Sequence, residues 1–133
     1  MARPKDISDS NFEIKFYEAV LKESPDFVEV LMALGELYTR TGQYELGLQI
    51  DQRLTQLRPQ EGMVFYNLSC SFSLLNRIED ALSALKRSVD LGYQDWSFME
   101  KDPDLENLRR DSRFLKILED LKPAKRTSRK ANE

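Results

Sequence analysis

"VEVLMALGELYTRTGQYELGLQIDQRLTQLRPQE" (residues 28–61) can be written directly above "GMVFYNLSCSFSLLNRIEDALSALKRSVDLGYQD" (residues 62–95), and large side chains then match large and small match small. At this spacing of 34 positions Leu31 falls on Phe65, Leu34 on Leu68, Gly35 on Ser69 and Tyr38 on Phe72. Further along, Gly47 falls on Ala81 and Leu48 on Leu82, and one period earlier Pro59 falls on Pro25. A fixed period of this length signals stacked units, each of which buries its apolar side only against its neighbours.

Each unit reads as two helices. Leu31, Leu34 and Tyr38, like Phe65, Leu68 and Phe72, follow i, i+3, i+7 spacing and lay one apolar stripe on a first helix. The turns "RTGQ" (40–43) and "LLNR" (74–77) then lead to second helices expected over Tyr44–Leu57 and Ile78–Leu91. Asp26 with Glu29, and Ser10 with Glu13, have the spacing of capping pairs at helix starts. Pro59 and Gly92 stop the second helices. Gly35/Ser69 and Gly47/Ala81 are small where the two helices of a hairpin must approach, so a larger residue at Gly47 would wedge them apart.

Leu31, Leu34–Gly35, Tyr38, Gly47 and Pro59 resemble the signature of the tetratricopeptide (TPR) repeat, and so do Phe65, Leu68–Ser69, Phe72, Ala81 and Leu85. Two positions depart from it: Asp51 stands where a bulky apolar residue is usual, and Tyr93 replaces the second proline. "NFEIKFYEAVLKESPDF" (11–27) is similar to the second half of a repeat. Residues 92–122, with Asp102-Pro103-Asp104-Leu105 and Arg113-Phe114, resemble the closing segment of many bacterial TPR proteins. The resemblance implies an all-α fold, a short solenoid of antiparallel hairpins in a right-handed superhelix with a C-terminal helical cap. The expected divisions are a flexible start at 1–9, a half repeat at 10–27, repeats at 28–61 and 62–95, and a cap at 96–121. A basic disordered tail is expected at 122–133. Within the cap, Asp102 and Pro103 suit an N-cap and a first helical position. Phe114, Ile117, Leu118 and Leu121 form one stripe, with Trp96, Phe98 and Leu105 expected to plug the open end of the core.

Composition narrows the function. The 133 residues include no histidine and a single cysteine, which removes His-based nucleophile pairs and the usual structural zinc sites. No catalytic residue, cofactor or metal site is expected. The start "MARPKDISDSNFEIK" has no apolar signal core and no run is long enough for a membrane helix, so a reducing, cytoplasmic setting is expected. Net charge is −3, divided between a tail of +4 (122–133) and a body of −7, a poor design for a nucleic-acid surface, and neither a nucleic-acid nor a membrane partner is expected.

The expected activity is non-catalytic binding of another protein, as a scaffold or adaptor. By the resemblance, first helices line a concave groove, which assigns Glu29, Met32, Glu36, Thr39 and Arg40 of the first repeat to it, with Met63, Tyr66, Asn67, Cys70, Ser73 and Leu74 of the second. Met32, Glu36, Arg40, Met63, Tyr66, Asn67 and Cys70 are the candidate binding residues. Asn67 can pin a peptide amide with a donor and an acceptor. Cys70, with no cation within four residues, reads as an inert, small buried side chain. Some TPR domains hold C-terminal carboxylates with a Lys, Asn, Asn, Lys, Arg clamp. Here Asn67 matches the middle position, but Met32, Glu36, Ser97 and Lys101 occupy the others, and Glu36 would repel a carboxylate. No clamp is expected. The alternative is a homodimer through Phe12, Ile14, Phe16 and Tyr17, and behind it stands a regulatory subunit of an enzyme.

Overall fold

The structure, a computed structural model, describes residues 4–122, with side-chain detail from residue 9. Residues 1–3 and the tail from 123 onward lie outside the described residues. The helices are α1 (Pro4–Glu23), α2 (Val28–Arg40), α3 (Tyr44–Leu57), α4 (Gly62–Leu74) and α5 (Ile78–Asp90). The closing segment holds α6 (Trp96–Lys101), a 3-10 turn (Pro103–Leu105), α7 (Glu106–Arg109) and α8 (Ser112–Leu121). No strand occurs among the described residues.

The apolar stripes do what their spacing requires. Leu31, Leu34 and Tyr38 on α2 are buried, as are Leu68 and Phe72 on α4, while Phe65 is half-buried. α2 pairs with α3 and α4 with α5, while α1 packs on α2 and α3 on α4, so consecutive hairpins stack. The core follows this order. Ile14 joins Leu34, Leu37 and Tyr38 at the first junction, and Leu31 joins Leu54 and Val64 at the second. Close approach inside the hairpins is real. A Cβ on Gly47 would lie 3.1 Å from Thr39 Oγ1, and one on Gly35 would lie 3.1 Å from Ile50 Cγ2. At the position equivalent to Gly35, Ser69 donates its hydroxyl to the Ala81 carbonyl at 2.7 Å.

The repeat extends to backbone conformation. Gly42 (φ +83°) and Asn76 (φ +59°) stand at equivalent positions after α2 and α4, and both take the left-handed conformation that ends the helix. Asparagine tolerates that region better than most residues with a Cβ.

The helix starts differ from expectation. α1 begins at Pro4, which suits a first turn, so Ser10 is a buried mid-helix residue and makes no capping pair with Glu13. The helical stretch therefore takes in residues assigned above to a flexible start. α2 is capped by Phe27 without a side-chain bond, because Asp26 is engaged by the Arg53 guanidinium of α3. In the closing segment Asp102 is an N-cap with Pro103 behind it, as expected. Leu105 is fully buried together with Met99, Leu108 and Phe114, but Phe98 is 50 % exposed and is not part of the plug. Met99, one residue on, points inward in its place, since α6 turns by roughly 100° per residue. Lys122, placed above with the tail, pairs with Glu100 at 2.8 Å and lies over the Trp96 ring.

Candidate functional site

On α2, Met32, Glu36 and Arg40 recur every four residues and are all exposed, so they share one open face. Glu36 and Arg40 form an exposed ion pair at 3.6 Å. Thr39 is turned toward α3, as its approach to Gly47 shows, and does not share that face. On α4, Met63 is 50 % exposed and Asn67 half-buried, one turn apart. Met32 and Met63 put soft, adaptable thioethers on the first helices of both repeats.

Three residues assigned to the groove are not open to it. Tyr66, Cys70 and Ser73 are buried, because the closing segment lies across α4 and roofs them. The helix α6 stops at Lys101, and the extended Asp102 before Pro103 sets its carboxylate against α4. Its Oδ2 accepts from the Tyr66 hydroxyl at 2.7 Å and from the Cys70 thiol at 3.7 Å, while Oδ1 accepts from the Asp104 amide at 3.0 Å. Tyr66 also stacks on Tyr93, with ring centroids 4.3 Å apart. The Arg109 guanidinium donates to the carbonyls of Met99 and Asp102, at 3.2 and 2.7 Å, and fixes this segment. Ser73 completes the attachment. Its hydroxyl accepts from the Leu108 amide at 3.2 Å, and its carbonyl accepts from the Asn107 side chain at 2.9 Å.

The electrostatics under this roof argue against a nucleophile. Burial first, and then Asp102, Asp104 and Asp51, push the Cys70 thiol well above its ordinary pKa, so the sulfur holds its proton. Asp104 is pushed up by burial and by its neighbour Asp102. Cys70, Asp102 and Asp104 bring potential ligand atoms within 4.8 Å of one another, but both oxygens of Asp102 already accept hydrogen bonds and the thiol is held protonated.

Sequence reasoning missed two buried carboxylates. Asp102 was legible as a helix cap, but its reach to Tyr66 crosses 36 residues, and no local pattern encodes that. The second is Asp51, whose Oδ2 accepts from Ser71 at 2.5 Å between α3 and α4. A signal for this pair was present. Asp51 replaces an apolar residue equivalent to Leu85, and Ser71 replaces one equivalent to Leu37, so two departures from the repeat answer each other.

No family model matches the chain. Among curated proteins it is similar to a chloroplastic protein of Arabidopsis thaliana, with 32% identity over 87 residues. That match covers 63% of this chain and 26% of the relative. Protein CTR9 homolog, also of Arabidopsis thaliana, is 42% identical over 52 residues, covering 39% of this chain and 5% of the relative. The matches thus span about a quarter or less of these relatives' lengths. Both of these relatives are plant proteins. Among solved structures, the crystal structure of MamA superposes with a TM-score of 0.71 at 20% identity, covering 90% of this chain and 72% of that one. MamA from residue 41 to its end, of Desulfovibrio magneticus RS-1, gives a TM-score of 0.67 at 16% identity, covering 90% and 70%. MamA is a TPR-type protein, and the fold shared with it is the TPR-type helical solenoid.

Proposed function

We propose, from the TPR-type fold as premise, that this chain is a non-catalytic protein-interaction module that receives an extended peptide or a helix of a partner protein. The binding face consists of Met32, Glu36 and Arg40 on α2 with Met63 and Asn67 on α4. The observation that carries the reading is the pairing of exposed methionines on both first helices with a half-buried asparagine on α4. Adaptable apolar contacts with one amide to fix register suit a peptide backbone. Tyr66 and Cys70 belong to the support of this face, since the closing segment covers them. Among the described residues no helix is long and apolar enough to cross a membrane. A buried free thiol suits a reducing compartment such as the cytoplasm.

The test is selection of peptides from a displayed random library against the full chain. Affinities are then compared with a variant carrying Met63→Asp and Asn67→Ala. Selected peptides should lose at least about tenfold in affinity, the ordinary weight of an interface anchor. Peptides that bind the variant undiminished, or that crosslink to exposed residues of α3 and α5, would place binding elsewhere.

A second reading, self-association through α1, is favoured by the exposure of Phe12 (73 %) and Phe16 (57 %), one turn apart on a helix whose Ile14 is already buried against α2. Exposed apolar patches of this kind mark contact surfaces. Sedimentation at several concentrations decides it. A mass that rises with concentration, and stops rising in Phe16→Asp, supports the dimer, whereas a constant monomer mass rejects it.

A further inference from the structure

Asp51 stands on α3 where the fully buried Leu85 stands on α5, and Ser71 stands on α4 where the buried Leu37 stands on α2. The two polar residues meet at the seam between the repeats, Ser71 donating to the carboxylate at 2.5 Å. Asp51 is only 8 % exposed, and Gly35 of α2 lies behind it, close enough that a Cβ there would be 3.5 Å from Oδ1.

No cation among the described residues pairs with this carboxylate. On α3 itself, Glu45 is exposed and Arg53 is held by Asp26. On α2, Glu29 is exposed, Glu36 and Arg40 hold each other, and the Tyr38 hydroxyl is bonded to Glu18 of α1. On α4 the titratable groups are Cys70, whose thiol Asp51 helps to keep protonated, and Tyr66, bonded to Asp102. An ionised carboxylate in this seam has a single hydroxyl donor in place of water. Burial outweighs that bond and lifts the Asp51 carboxyl to about 6.

We propose that Asp51 is a pH-sensitive lock on the seam between the two repeats: protonated, it lets α3 and α4 stay closely packed, and ionised, it makes the seam open more readily to water. The sign follows from linkage. A group with its folded value raised favours the closed seam most fully below the ordinary carboxylate range, and that preference fades as pH rises through about 6. Because the candidate binding face draws on α2 on one side of the seam and α4 on the other, opening also parts its two halves.

Native-state hydrogen exchange of the full chain, followed amide by amide, tests this. Between pH 5 and pH 7.5, after correction for intrinsic exchange, the opening constant for α3 and α4 amides at the seam should rise about tenfold. Amides of α8 serve as the reference and should not share the change. Asp51→Asn should abolish the rise, and Ser71→Ala, which removes the one donor to the ionised form, should move its midpoint to higher pH. A seam that opens equally at both pH values overturns the proposal, as does a rise that persists in Asp51→Asn. Should Asp51→Asn not fold, an unmoved midpoint in Ser71→Ala overturns it independently.

Discussion

The Tyr66 hydroxyl donates to the Asp102 carboxylate at 2.7 Å, joining the second repeat to the closing segment through two buried side chains. Tyr66→Phe leaves that carboxylate with weaker partners. A hydrogen bond to a charged group contributes about 1.5–3 kcal/mol, so urea or thermal unfolding should show a loss of that order. Asp102→Ala should cost more, because it also removes the bond to the Asp104 amide.

Two glycines in helices should differ in how they tolerate alanine. Gly62 opens α4, and a Cβ there would lie 2.9 Å from the Ser88 carbonyl oxygen and 3.3 Å from Tyr93, both held by backbone. Gly62→Ala should therefore destabilise by about 1–3 kcal/mol, although alanine is the better helix former by about 1 kcal/mol. At Gly47 the nearest atom is the Thr39 hydroxyl at 3.1 Å, which can shift. Gly47→Ala should fall within about 1 kcal/mol of the parent, and Gly47→Leu should lose about 1–3 kcal/mol. Denaturant midpoints compare all three directly.

Cys70 should be nearly inert. It is buried beneath the closing segment, and that burial, reinforced by Asp102, Asp104 and Asp51, keeps its proton in place, so a disulfide reagent should label it at least about a hundredfold slower than a free thiol. Labelling should reach the free-thiol rate only in denaturant. Fast labelling in buffer would show that the roof opens.

At the head of α8, Asp111 accepts from the Arg113 amide at 2.9 Å and also from its guanidinium, which reaches Glu79 of α5 at 2.7 Å. The Arg113 side chain, and then its amide, hold the Asp111 carboxyl at about 2. A depressed value means that the cap is fully in place above the ordinary carboxylate range and is lost as pH falls through about 2. Carboxyl NMR should find that midpoint, and Arg113→Ala should return it toward the ordinary range.

The architecture was legible because it depends on periodicity, and periodicity is local and repeated. Leu34 with Leu68, and Tyr38 with Phe72, each fix the buried face of a helix and do so twice. The helix starts were less legible, since Asp26 looks like a cap in sequence and serves Arg53 in space. At the candidate site, exposure of Met63 could be read from the helical phase, but the burial of Tyr66 and Cys70 could not. Their covering comes from a segment more than thirty residues away whose helix stops before Pro103. Phe98 and Met99 are adjacent, both large and apolar, and only the rotation of a six-residue helix decides which one enters the core.

The answering departures at Asp51 and Ser71 bear on how such an array could be lengthened. Duplicating residues 28–61 in tandem would set the first Asp51 against Leu37 of its copy and strand a carboxylate among leucines. Duplicating 62–95 would leave the first Tyr66 and Cys70 without Asp102 above them. The units look interchangeable by their spacing, yet each is fitted to its own place in line, so a designer adding a module must first re-cut these joints.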